Sequence, residues 1–159
     1  MADHRAIPLA RWSVLALHLL QRLYGTLIAC APDPSTARAA VDQAEAALGT
    51  FDVCMFCEVM LAVPATIACA DAGDLTAAQR HLAVAEASAR RWEGSAWEAG
   101  VREARAHLAR ARGDEAGFHR LLDEACRLFT AAGQPLDAGR CERAHGWQPA
   151  PRPVPDPVR

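Results

Sequence analysis

The feature that most constrains this chain is an echo of itself at a spacing of 40 residues. Thr36-Ala37, Thr76-Ala77 and Ala116-Gly117 fall in step, each a few residues into an amphipathic segment that follows a turn. Those turns read Pro32-Asp33-Pro34, Ala72-Gly73-Asp74 and Arg112-Gly113-Asp114, and the near copies Ile28-Ala29-Cys30-Ala31 and Ile67-Ala68-Cys69-Ala70 precede the first two. A period of roughly 20–50 residues with two helices per unit belongs to stacked helical repeats, in which neighbours bury each other's apolar faces. Such an array is a binding scaffold by default.

Composition agrees with helices. The 159 residues can bury a core without a second domain. Apolar residues make up 52%, largely as alanine, while aromatic residues are only 6% and β-branched runs are scarce. Every basic residue is arginine, which suggests a GC-rich bacterial genome. A net charge of −2 and a pI near 6.3, with acids and bases interspersed, argue against a nucleic-acid partner. Six cysteines without a recognisable leader predict a reducing cytoplasm. The longest apolar run, Trp12 to Leu20, is interrupted by His18 and too short to cross a membrane.

The periodicity predicts an all-α domain over residues 1–147: seven helices arranged as three hairpins plus a closing helix. The first is expected from Pro8 to Cys30, with Leu19, Leu23 and Leu27 inward and Gly25 weakening its end. Ser35 is the expected cap of a second helix to Leu48, and Asp52 that of a third carrying Cys54 and Cys57 and bent by Pro64. Asp74, Ser95 and Asp114 cap the fourth, fifth and sixth, and Pro135 starts a seventh to about His145. Residues 148–159 form a separate tail in which proline alternates, favouring polyproline II.

Gly73-Asp74-Leu75-Thr76-Ala77-Ala78, Leu82, Ala85-Glu86, Trp92, Trp97, Glu103-Ala104-Arg105, Leu108, Gly113-Asp114 and Ala132-Gly133-Gln134-Pro135-Leu136-Asp137-Ala138 resemble tetratricopeptide-type helical regions. They are similar in particular to those of actinobacterial signal-transduction ATPases and LuxR or MalT-like regulators. The resemblance spans Leu9 to Cys141 and implies a protein-binding or inducer-sensing array. The phosphate loop and the helix-turn-helix of those regulators have no counterpart here, so neither ATP hydrolysis nor DNA binding carries over.

Chemistry of the chain's own is confined to cysteine. Cys54-x-x-Cys57 and Cys141-x-x-x-His145 each present two donors on one helical face, and together they could complete a Cys3His zinc site or, through Cys54 and Cys57 alone, a thiol-redox sensor. Against this, helices three and seven lie a repeat apart, and cysteines among alanines and leucines behave as small hydrophobes. Haem attachment is excluded in its usual form because Glu58 follows Cys57. No nucleophile elbow, zinc-protease pair or dinucleotide loop occurs, so the chain is expected to be non-catalytic.

The expected function is therefore that of a protein-protein interaction or regulatory module, with metal binding and small-molecule sensing between repeats as alternatives. The first helix of each pair should line the concave face. Its candidate contacts for a partner protein or peptide are Trp12, Arg22, Glu58, Trp97, Glu98, Arg102 and Arg105. Leucines around the first helix leave apolar surface that self-association would cover, and Leu17→Glu and Leu20→Glu are the substitutions expected to report it.

Overall fold

The structure is a computed structural model that describes residues 14–49, 54 and 56–146. Trp12, Asp52, the stretch from Pro8 to Ser13 and the tail 148–159 lie outside the described residues. Within them are seven helices and no strand: α1 Val14–Ala29, α2 Pro34–Leu48, α3 Glu58–Asp71, α4 Leu75–Ala89, α5 Ala96–Ala111, α6 Glu115–Ala131 and α7 Pro135–Ala144. None is long and apolar enough to cross a membrane.

Two turns of the sequence echo share one stereochemistry, which the turn before the last helix repeats. Before α4, α6 and α7 the chain turns through Gly73, Gly113 and Gly133, all at positive φ, a conformation that costs glycine nothing. In each turn the next amide reaches back to a late helical carbonyl: Asp74 N–H to Cys69 O, Asp114 N–H to Ala109 O, and Gln134 N–H to Phe129 O. Asp74 and Asp114 then cap the following helices by accepting from the amides of Ala77 and Gly117. Asp33 does the same for α2 through Thr36 N–H, ahead of Pro34. The cap of α2 is thus Asp33 rather than Ser35, whose hydroxyl donates to the Asp33 carboxylate.

Each hairpin packs along its length, α1 on α2, α3 on α4 and α5 on α6, while α1, α3 and α5 also touch in a row and α7 closes on α6. Alanine makes this possible, because small side chains at the interfaces let helix backbones approach. Ala65, Ala68, Ala77 and Ala78 interlock with Ile28, Val41 and Leu108 in the largest apolar cluster. A second cluster joins α5, α6 and α7 through Ala99, Phe118, Leu122, Phe129 and Cys141.

Two expectations need correction. The buried face of α1 is Leu20, Gln21, Tyr24 and Ile28, with Leu27 half-buried beside it, whereas Leu19 and Leu23, expected inward, are 60% and 57% exposed. Leucines all round this helix made its period ambiguous, and packing against α3 decides the register. Gly25 is part of that decision. Pro64 has no amide hydrogen, so the Met60 carbonyl one turn before it has no helical donor. α1 closes on α3 at that carbonyl, where a Cβ on residue 25 would lie 2.1 Å from the oxygen. Gly25 is therefore a close-approach residue, not a weak point. The second correction concerns α3, which begins at Glu58 with Cys57 as its cap; Cys54 and Cys57 belong to the connection before it.

Candidate functional site

Alternate helices present one stripe each to a common groove. α1 contributes Arg22, Gly25, Thr26 and Ala29, and α3 contributes Met60, Val63, Pro64 and Ile67. From α5 come Trp97, Glu103 and His107, and from α7 Asp137, Arg140 and Ala144. These residues recur at three- and four-residue intervals because that spacing returns to the same helical face. One cavity of about 650 Å³ and another of about 610 Å³ share Met60, Pro64, Trp97, Glu103 and Arg140, so the groove is continuous. Gly100 allows α5 to sit against Val63 of α3 on its floor, with a Cβ position 3.4 Å from Val63 Cγ1.

The far wall is fixed by charge. Glu103, only 2% exposed, accepts two bonds from the Arg140 guanidinium, from Nε at 2.7 Å and from Nη2 at 2.6 Å. Arg140 also donates to Asp137 and lies over the Phe129 ring. The Glu103 carboxylate holds Arg140 more firmly in its charged form than a free arginine. His107 and Arg110 of α5 both bond Asp71 at the end of α3. Burial alone would raise the Asp71 carboxyl, yet these bonds outweigh it and hold it below its usual range. On the near wall Arg22 is exposed and has no ion pair among the described residues.

The candidate contacts read from sequence divide between surfaces. Arg22 and Trp97 line the groove. Glu98, Arg102 and Arg105 instead form a polar cleft between α4 and α5. There Arg105 pairs with Glu86 at 2.8 Å, and Arg102 lies 3.5 Å from Glu98 and 3.6 Å from Glu124. Glu58 stands elsewhere, near Arg90 and Arg91. The groove residues Met60, Val63, Ile67, Glu103 and Arg140 were missed. Their helical spacing was readable, but only the close packing of alternate helices shows which stripe turns toward its neighbours.

At the groove's end the α1 and α3 stripes lead to a second site. His18 lies one turn before Arg22, and Cys57 just before the first turn of α3. His18, Cys54 and Cys57 offer donor atoms that all fall within 4.8 Å of one another, and the three could hold a metal ion. Cys57 Sγ is 3.5 Å from His18 Nδ1. The cysteine turn is shaped by Cys57 N–H and Glu58 N–H, which both donate to Cys54 O. Phe56, between the cysteines, meets Trp92 edge-on with ring centroids 6.2 Å apart.

The thiols differ. The Phe56 amide lowers the Cys54 pKa, while burial raises that of Cys57. The structure does not bring the expected partners Cys141 and His145 to this group. Cys141 is sealed among Ala99, Phe118 and Phe129, and burial pushes its thiol up to about 12. The His145 ring lies tilted against that of His119, with centroids 4.4 Å apart, and its Nε2 is 3.5 Å from Asp123 Oδ1. Both residues lie at the α7 end of the array, where α7 packs on α6, whereas Cys54 and Cys57 precede α3. Cys69 is likewise buried, whereas Cys30 is exposed.

No protein-family model, curated protein or solved structure matches this chain.

Proposed function

We propose that this chain is a non-catalytic interaction module, a tetratricopeptide-like array that holds a segment of a partner protein in the groove of α1, α3, α5 and α7. The observation that carries this reading is the convergence of one stripe from every alternate helix on a single groove. A stack of hairpins generates such a surface whenever its first helices face inward. The resemblance to the helical regions of LuxR and MalT-like regulators implies the same use, as an accessory or regulatory subunit.

The groove's chemistry describes its occupant. Met60, Val63, Pro64, Ile67 and Trp97 offer an apolar floor, and Arg22 offers at its rim a cation with no ion pair among the described residues. The complementary ligand is a peptide segment with apolar side chains and one carboxylate. Aromatic and arginine side chains of this kind carry much of the energy at protein interfaces. The fixed Glu103–Arg140 wall lowers the ordering cost of binding. A volume of about 650 Å³ also suits a small molecule, which is the second reading.

Selection of a random peptide library against the reduced, full-length chain tests the proposal. The expected binders are apolar with an acidic residue, and they lose at least about tenfold in affinity, or 1.4 kcal/mol, to Ile67→Glu and to Arg22→Glu. Binders indifferent to both substitutions, or no binders at all, would contradict it.

A further inference from the structure

We propose that His18, Cys54 and Cys57 bind one zinc ion, with a fourth coordination position left to water or another ligand. Bonds of about 2.3 Å to sulfur and 2.0–2.1 Å to nitrogen place neighbouring donors of a tetrahedral zinc site roughly 3.3–3.8 Å apart. Cys57 Sγ and His18 Nδ1 stand at 3.5 Å, and no pair among the three donors exceeds 4.8 Å. Two thiolates with an imidazole select zinc over magnesium or calcium, which take oxygen ligands.

The fold positions each of the three donors. Gly25 seats α1 against the Met60 carbonyl, which sets the position of His18 relative to α3. The bonds to Cys54 O and the Phe56–Trp92 contact set the cysteine turn. All three donors are half-buried, so an ion can reach them while the ring and thiols stay packed. Binding replaces the thiol protons, which leave to solvent, so affinity rises with pH. The bound ion would tie α1 to the connection between α2 and α3 at one end of the groove. This inference is independent of whether the groove binds a peptide.

Cobalt(II) titration of the reduced, chelator-treated, full-length chain tests it. The expected result is the intense visible absorption of tetrahedral cobalt with thiolate charge transfer in the near ultraviolet, saturating at one equivalent and bleached by zinc. The signal disappears in Cys54→Ser and Cys57→Ser, changes in His18→Ala, and persists in Cys141→Ser. Uptake that survives both cysteine substitutions overturns the proposal, as does a reduced chain that takes up neither metal. Iodoacetamide labelling of the unsubstituted protein covers variants that fail to fold. Zinc should protect Cys54 and Cys57 but not the exposed Cys30, and equal labelling with and without zinc overturns the assignment.

Discussion

At the scale of the residue, single atoms decide helix placement. Gly25 has a partner that can barely move, the backbone oxygen of Met60, so a methyl group there must push α1 away from α3. Gly25→Ala should destabilise the protein by about 1–3 kcal/mol, as overpacking does, despite alanine's better helix propensity. Urea denaturation checks this, and a stabilised variant would contradict it. The cap Asp33 makes a pH prediction. Bonds from the Thr36 amide and the Ser35 and Thr36 hydroxyls lower its pKa from 3.8 to about 2. A carboxylate with a depressed folded pKa contributes stability above its unfolded value and loses it as pH falls through the folded one. Asp33→Ala should therefore flatten stability between about pH 4 and pH 2, read by thermal melts across that range. The turn glycines and the caps Asp74 and Asp114 were legible in the sequence because their roles are local, whereas Asp33 was passed over for Ser35, an equally good capping residue two positions on. Gly25 was not legible, because its role depends on a proline 39 positions away.

At the scale of the element, the α1 register separates two outcomes. Leu20 is 1% exposed, whereas Leu23 is 57% exposed. Leu20→Glu should cost several kcal/mol by burying an unpaired charge, which makes it unsuitable as a reporter of self-association. Leu23→Glu should stay within about 0.5 kcal/mol of the parent. If α1 mediates self-association, light scattering should register Leu19→Glu and Leu23→Glu. Denaturation of both leucine variants checks the register, and equal losses would contradict it. The amphipathic period of α6 could be read directly because its outer face is charged, and Phe118, Leu122, Ala125 and Phe129 are buried as that period requires. In α1 the leucines surround the axis and periodicity had nothing to choose between. The donor pair Cys54 and Cys57 was equally visible as a motif, but His18, 36 residues earlier than Cys54, joins it only through the packing of α1 on α3.

At the scale of the whole molecule, the stacked hairpins place a groove along α1, α3, α5 and α7 and close it with the Glu103–Arg140 pair. Arg140→Ala leaves a buried carboxylate without its donors and should cost about 1–3 kcal/mol. Glu103→Gln with Arg140→Ala should recover part of that loss by removing the charge, as a double-mutant cycle in urea would show. The helical character of the chain was legible in the 40-residue echo, since each copy carries its own turn and an amphipathic segment after it. Which faces line the groove was not, because that depends on contacts between helices far apart in sequence. The central claim is that this groove holds a segment of a partner protein. Its most direct test is a photo-crosslinking amino acid placed in the producing cell at Val63 or Ile67, in the groove, and at Gln43 or Gln79, exposed on α2 and α4. The account predicts a discrete crosslinked polypeptide from the groove positions that is absent from the other two; equal crosslinking at all four, or none in the groove, would contradict it.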